Sequence, residues 1–304
     1  MSGDEASKAG RWRDEEERGN SLVLRITLGL AWLAGRRVTR ALLFVVSFYY
    51  ALFAGSARRA TRDFLRRVGE PTGFWRVQRQ LFRFSEVALD AVYFLKGETG
   101  RFEFSRDGHE HLEALVREGK GALLLGGHIG SFYAMRAASA DFEIPVYPLV
   151  HTANAKRINA LFRAIAPEMA ERVIEIDEGD MRFMLRVREL VEQGALVALL
   201  ADRVPESGHV AEVDFLGGKA LLPTGPYLLA STLRCPVFFT AGIYRAPNRY
   251  ELHCEPFAER VVLKRGARQE AAREYAARYA ERLEHYARSA PDNWFNFFQF
   301  WVAK

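Results

Sequence analysis

The stretch GALLLGGHIGSFYAMR, residues 121–136, decides the fold. Its apolar run Ala122 to Leu125 reads as a strand buried on both faces, which breaks at Gly126-Gly127, presents one histidine, His128, and turns through Gly130 and Ser131 into a helical pattern. The same unit repeats on either side. HLEALVREGKG before it reads as a helix ending in glycine, and after it IPVYPLV reads as a strand and ANAKRINALFRAIAP as a helix stopped by proline. RVIEI, DMRFMLRVRELVEQG and ALVALLAD continue as strand, helix and strand. CPVFFTAGIYR and RYELHCEPF read as later strands, the second alternating in the half-buried manner, and a long helix from Arg268 to Arg288 precedes the aromatic tail APDNWFNFFQFW. Alternating strands and helices with continuous apolar strands predict an α/β fold, a single sheet covered by helices on both faces.

Composition narrows the class. The chain has 304 residues, 49% hydrophobic and 27% charged, enough for one large domain or two small ones with a proper core. Lys and Arg outnumber Asp and Glu by 43 to 38, for a net charge of +5, which favours acidic partners without choosing among them. A nucleic-acid partner is not expected: the basic residues gather beside apolar helices and no nucleic-acid motif accompanies them. Cys235 and Cys254 lack a CxxC spacing and read as buried free thiols of a reducing compartment.

The N-terminal residues 1–67 form a basic and apolar segment ahead of an α/β domain spanning 68–304. Two apolar helical stretches are separated by Arg36, Arg37 and Arg40 and followed by Arg58, Arg59, Arg62, Arg66 and Arg67. The charge-free run from Ala41 to the residue before Arg58 holds 17 residues, at the bottom of the range for spanning a bilayer. With Phe48, Tyr49, Tyr50 and Phe53 in it, this run predicts a membrane-seated helix at the cytoplasmic leaflet, and removing residues 1–67 is expected to leave a soluble remainder.

Ligands of such sheets collect at the carboxyl ends of strands. His128 lies at one such end, and Asp202 with Arg203 lies at another, directly after ALVALLA. An imidazole there suits removal of a proton from a hydroxyl, and the Gly130 and Ser131 amides at the following helix start suit a developing negative charge, a combination fit for acyl transfer. From these residues alone a capping or structural histidine reads equally well. Arg157, with Asn154, Lys156 and Asn159, reads either as a hold for phosphate or sugar groups or as an exposed helix start. Thr224 and Gly225, after GGKALLP, read as a loop entering a helix, and Arg245 at the end of a strand reads as a phosphate partner or a surface ion pair. No metal or cofactor is expected: His109 and His111 are two apart, and GGHIGS lacks the Gly-Lys-Ser/Thr ending of a P-loop.

GGHIGSFYAMR, the later ADR, the block VDFLGGKALLPTGPYLLASTLRCPVFFTAGIYR and the tail PDNWFNFF occur in an order that resembles the bacterial late acyltransferases of lipid A biosynthesis, within the lysophospholipid acyltransferase superfamily. The likeness covers nearly the whole chain. It implies an enzyme at the cytoplasmic face of the inner membrane that moves a fatty acyl group from acyl carrier protein or coenzyme A to a lipid or glycolipid hydroxyl. It implies His128 as base, with Thr224 beside the acyl site. Phe132, Phe215 and Leu216 are expected to line the acyl chain. The family's His-x4-acid motif departs at one place, where Tyr133 stands for the acid. A phenol is neutral at pH 7 and offers imidazolium no counter-charge. Three readings stay open: Tyr133 substitutes for the acid, Asp202 reaches His128 in space, or the chain is a catalytically weak or inactive lipid-binding homologue. If only the acid is missing, Tyr133→Glu is expected to raise transfer.

Overall fold

A computed structural model of the chain describes residues 33–139, 145–151, 165–176, 182–205 and 209–302, with Gly29 and Phe162. The strands are β1 (Glu103–Asp107), β2 (Ala122–Gly126), β3 (Val146–His151), β4 (Ile174–Ile176), β5 (Leu196–Leu200), β6 (Val210–Phe215), β7 (Gly218–Pro223), β8 (Val237–Arg245) and β9 (Arg249–Ala258). The helices are α1 (Gly35–Phe53), α2 (Gly55–Arg67), α3 (Phe74–Leu95), α4 (His109–Arg117), α5 (Phe132–Ser139), α6 (Pro167–Ala170), α7 (Arg182–Glu192), α8 (Gly225–Leu233) and α9 (Arg268–Ser289).

Seven strands form one sheet in the order β1-β9-β8-β2-β5-β3-β4. From β8 to β4 neighbouring strands run parallel, whereas β9 runs antiparallel to β8 and carries β1 parallel to itself. The central strand β2 is buried at all its positions. Leu123 and Leu125 join one core with Leu190 of α7, Tyr227 of α8 and Leu283 of α9, and Ala122 and Leu124 join another with Leu115 of α4. Both faces are therefore covered, as the continuous apolar strand requires.

The sheet is not alone. Residues 210–223, ahead of the loop read at Thr224 and Gly225, form an antiparallel hairpin, β6 with β7, in register Phe215↔Gly218. Its two-residue turn, Leu216 at φ 48° and Gly217 at φ 70°, has the two positive angles of a type I′ connection. Leucine is a poor first residue for that turn, so the sequence signal is weak. Contacts far along the chain hold it instead: Glu284 Oε2 accepts the Leu216 N–H at 2.6 Å and Arg67 donates to the Leu216 carbonyl at 3.3 Å.

Helix α1 is built inside out. It buries Thr39, Leu43, Ser47 and Ala51, spaced by four, and exposes Val38, Leu42, Val45, Tyr49, Leu52 and Phe53. Its polar side is held to the body by charges. Arg36 grips Asp90 of α3 through two bonds of 2.6 and 2.8 Å, Arg40 reaches Glu86 at 2.5 Å, and Gln78 donates to Ser47 Oγ at 3.0 Å. After a break at Ala54, α2 sends Phe64 and Leu65 into the main core, and the Phe64 and Trp294 ring centroids lie 4.5 Å apart. Cutting after Arg67 would strip Phe64 and Leu65 from this core and leave Glu86 and Asp90 without Arg40 and Arg36. The soluble remainder expected from the sequence has no such independence in the packing. No single described helix is long and apolar enough to cross a membrane; α1 and α2 meet that length and composition only together, and they are bent by 92°.

Asp90 is fully buried, and Tyr250 Oη also donates to it at 2.8 Å. Asp90→Ala leaves Arg36, whose side chain is only 12% exposed, without its carboxylate. The expected cost is about 3–5 kcal/mol, the usual penalty for removing one member of a buried ion pair. Denaturant unfolding of the purified protein checks it, and a loss under about 1 kcal/mol would show that the pair does not hold α1 in place.

Candidate active site

Strands β2 and β5 are adjacent and parallel, with Gly126 opposite Leu200. His128 and Asp202 each lie two residues beyond that pair, so the register alone brings them face to face. The Ala201 N–H bonds to the Gly126 carbonyl at 2.9 Å and carries the ladder to the edge of the site.

Asp202 holds His128 twice. Its Oδ1 lies 2.7 Å from His128 Nδ1, and its Oδ2 accepts the His128 backbone N–H at 2.7 Å. Burial opposes ionisation of the Asp202 carboxyl, but the imidazole, the Arg203 charge and the backbone N–H outweigh it and hold the group below the usual carboxylate range. Burial pulls the His128 imidazole below its ordinary value; Asp202 pulls upward and Arg203 pushes down again. The pair at neutral pH is therefore carboxylate and neutral imidazole. An ionised carboxylate can only accept, so Nδ1 carries the hydrogen and Nε2 keeps a free lone pair. The side chain of His128 is 26% exposed against 3% for Asp202, so the ring has access to a ligand and its partner does not.

The turn after His128 is shaped by close approach. Gly130 has φ +63°, and a Cβ there would stand 1.9 Å from the Gly242 carbonyl oxygen of β8. That proximity uses up the amides expected to face a substrate. The Gly130 N–H donates to the Asn293 carbonyl at 2.8 Å and the Ser131 N–H to the Gly242 carbonyl at 2.7 Å. Ser131 Oγ accepts the Ala134 N–H at 3.1 Å and caps α5. Gly130 and Ser131 thus shape the turn, and neither amide is open to an oxyanion.

The other expected residues divide. Arg203 stands beside the pair, half-buried, with its guanidinium 5.5 Å from the Phe298 ring centre. Tyr133 packs edge-on against Phe132 and Phe162, and burial pushes its phenol up to about 12. Among the described residues no hydrogen bond joins it to His128, so the partner of the imidazole is Asp202. Thr224 is buried, and both its N–H and its hydroxyl donate to the His209 carbonyl, at 2.9 and 3.1 Å. Its hydroxyl closes the end of the hairpin, which is the turn chemistry that competed with the acyl-site reading. Phe215 and Leu216 are buried against the core, where Phe215 packs on Trp294, so they do not present an open acyl wall. Arg245 bonds Glu251 at 2.8 Å at the end of β8. Arg157 lies outside the described residues.

Two residues of the site were not singled out by the sequence, although Asn293 lies in the tail PDNWFNFF that resembles the family. Asn293 brackets Tyr244, accepting its N–H at 2.7 Å and donating to its carbonyl at 3.1 Å, while its own carbonyl holds Gly130. The next turn of chain continues the clamp, with the Phe295 N–H on the His128 carbonyl at 2.8 Å. Tyr279 of α9 donates to the Gly126 carbonyl at 2.8 Å, and a Cβ on Gly127 would stand 2.9 Å from that hydroxyl and 3.5 Å from Asp202 Oδ2. Among the described residues no group of three His, Cys, Asp or Glu side chains is placed to hold a metal ion.

The charges predict the titration. NMR of His128 should give a pKa below the ordinary value of about 6.5. Asp202→Asn removes the upward pull and should lower it further, whereas Arg203→Gln removes a repulsion and should raise it. A rise with Asp202→Asn would show that the carboxylate is not the partner of the ring.

The family model described as bacterial lipid A biosynthesis acyltransferase matches residues 86–302, a span that encloses His128, Asp202 and Asn293. Comparison with curated proteins gave no match.

Proposed function

Because the chain belongs to the bacterial lipid A biosynthesis acyltransferase family, we propose that it transfers a fatty acyl group from an acyl thioester, carried by acyl carrier protein or coenzyme A, to a hydroxyl of a lipid or glycolipid at the cytoplasmic face of the inner membrane. The observation that carries the reading is the His128–Asp202 pair at the carboxyl ends of two adjacent strands, with Nε2 left as a base. Nε2 takes the proton of the acceptor hydroxyl, and the oxygen attacks the thioester carbonyl. Asp202 holds the tautomer and stabilises the imidazolium that forms. The tetrahedral intermediate collapses, the carbon–sulfur bond breaks, and the imidazolium returns the proton to the departing thiolate. Arg203, whose charge already acts on His128, is the cation assigned to the oxyanion. The acyl thioester is a co-substrate, and no step draws on a metal or an organic cofactor.

Membrane seating is supported by the exposed apolar side of α1 together with Trp75 and Phe84 of α3, which are 65% and 44% exposed. Arg37, Arg59 and Arg66 stand exposed on α1 and α2, as suits an anionic leaflet. The catalytically inactive lipid-binding alternative shares this surface and differs only in turnover.

His128→Ala should lower transfer from a long-chain acyl thioester by about 10² or more, and Asp202→Asn by a comparable factor, with folding kept. The acid limb of the parent's pH–rate profile should lie below about 6.5, since neutral His128 is the active form and its pKa is depressed. Tyr133→Phe should stay within about threefold of the parent, because its hydroxyl makes no bond to the base. Tyr133→Glu should lose stability and activity through an unpaired carboxylate in an aromatic pocket, the reverse of the gain expected from spacing. Equal rates for His128→Ala and the parent would remove the histidine from the mechanism, and no thioester turnover by the parent would favour the inactive homologue.

Leu42→Glu with Val45→Glu alters two exposed positions of α1. The double variant should lose co-sedimentation with anionic vesicles at an unchanged melting temperature. Undiminished vesicle binding would mean that this side of α1 does not face the bilayer.

A further inference from the structure

The soft point of the catalytic turn is the peptide ahead of it. Gly126 and Gly127 are consecutive glycines, the freest pair of positions a backbone can offer, and they stand immediately before His128. The Gly126 carbonyl accepts two donors, the Ala201 N–H of β5 at 2.9 Å and the Tyr279 hydroxyl of α9 at 2.8 Å. The first already gives the carbonyl a partner, so the second adds a constraint rather than meeting a need. Tyr279 is fully buried on a stripe of α9 with Leu283 and Tyr286, and its ring lies against Phe239 with centroids 5.6 Å apart. Phenylalanine would fill the same space without a hydroxyl to bury. A Cβ on Gly127 would stand 2.9 Å from that hydroxyl, 3.1 Å from Leu283 Cδ1 and 3.5 Å from Asp202 Oδ2, so the phenol and the carboxylate crowd the same side of the glycine.

We propose that Tyr279 is a positioning residue of the catalytic pair: its hydroxyl pins the Gly126–Gly127 peptide where β2 and β5 end and so sets the approach of His128 Nδ1 to Asp202. Both catalytic side chains leave the sheet here, His128 two residues after Gly126 and Asp202 one residue after Ala201. The Ala201 N–H also acts on the phenol oxygen, so one hydroxyl serves both strands. Burial, the Asp202 charge and the neighbouring Tyr227 hold the phenol far above its ordinary pKa, and it stays a neutral donor. The other sides of His128 are already held, by Asp202 at the residue itself and by Asn293 and Phe295 in the turn beyond. Tyr279 closes the side ahead of it. Its effect on rate rests on the proposed acyl transfer, whereas its effect on the geometry of the pair does not.

The test compares the full-length parent, Tyr279→Phe and Tyr286→Phe in a neutral detergent. Tyr286 is the matched control, since it lies on the same buried stripe of α9 and gives its hydroxyl to Glu255 of β9 instead. One readout is independent of turnover. With isotope-labelled histidine, NMR follows exchange with water of the Nδ1 proton that His128 shares with Asp202. Tyr279→Phe should speed this exchange about fivefold or more, the size of one net hydrogen bond, and Tyr286→Phe should leave it within about twofold of the parent. In turnover of a long-chain acyl thioester, Tyr279→Phe should lower kcat about five- to tenfold with KM within about twofold, while Tyr286→Phe matches the parent. Gly127→Ala crowds the same hydroxyl with α9 unaltered, so it should speed the exchange too, and by a smaller factor in Tyr279→Phe, where the atom it meets first is gone. Unchanged exchange in Tyr279→Phe, an equal change in Tyr286→Phe, or fully multiplicative effects of Gly127→Ala and Tyr279→Phe would overturn the role, as would a raised KM at unchanged kcat. If Tyr279→Phe does not fold, Gly127→Ala decides alone, and parent-like exchange in it overturns the role. Faster exchange in Tyr279→Phe with no thioester turnover by the parent would instead strike the acyl-transfer reading and leave the positioning role standing.

Discussion

The arrangement around the catalytic turn depends on one buried carboxylate. Asp202 is ionised in a place where burial opposes its charge, and three groups make that possible: the His128 ring, the His128 backbone N–H and Arg203. Two of the three cannot move independently. The ring and the amide belong to the same residue, so the carboxylate fixes the peptide as well as the imidazole. The turn beyond is then held by Gly242 on one side and by Asn293 and Phe295 on the other. An ion buried with its hydrogen bonds satisfied favours one geometry over its alternatives, because any other leaves the charge unpaired.

This dependence explains what the sequence displays and what it conceals. Strand and helix alternation, the buried character of β2 and the position of His128 at a strand end follow from local pattern, and the described residues have them where the pattern puts them, the expected helix ANAKRINALFRAIAP lying largely outside those residues. The partner of His128 does not follow, because it is decided by strand order. Asp202 is 74 positions away and becomes a neighbour only when β5 pairs with β2 in the register Gly126↔Leu200. Asp202 could be named as a candidate but not chosen. The Gly130 and Ser131 amides fail as ligands for a similar reason. A glycine turn entering a helix looks open when read locally, but chain from 242 and 293 arrives to fill it. The hairpin β6–β7 was concealed because its turn carries Leu216 in a conformation that leucine seldom adopts without the support that Arg67 and Glu284 give.

The N-terminal helices show a different mismatch. Ordinary amphipathic helices bury the apolar side, but α1 buries threonine, serine and alanine with a single leucine, Leu43, and turns most of its large apolar residues outward. Packing against water cannot select that orientation. Arg36 and Arg40 can, since Asp90 and Glu86 are fully buried on α3 and need cations. The same pairs that orient α1 therefore create the exposed apolar side, and the proposed bilayer contact is the medium in which that orientation carries no penalty. The bend of 92° at Ala54 then sets the arginine-rich α2 across the end of α1, with Arg58 donating to the Ala51 and Leu52 carbonyls at 3.1 and 2.7 Å. A cation on those last carbonyls satisfies groups that a helix end otherwise leaves to water.

Position 133 can then be understood from the valence of the imidazole. A neutral ring has one N–H to give, and if Nε2 is to act as base that N–H is on Nδ1, where Asp202 already accepts it. A second carboxylate reaching the same nitrogen would have no proton to accept, and two anions beside one imidazole would raise its pKa and hold it protonated at neutral pH, where it is no longer a base. Burial among Phe132 and Phe162 would also drive such a carboxyl toward its neutral form. A phenol avoids each conflict: it is uncharged, its ring fits the aromatic contacts, and it leaves Nδ1 to Asp202. In a chain whose strand register delivers the counter-charge from β5, tyrosine at 133 is compatible with a working base, and the departure from the motif is not by itself a loss of chemistry.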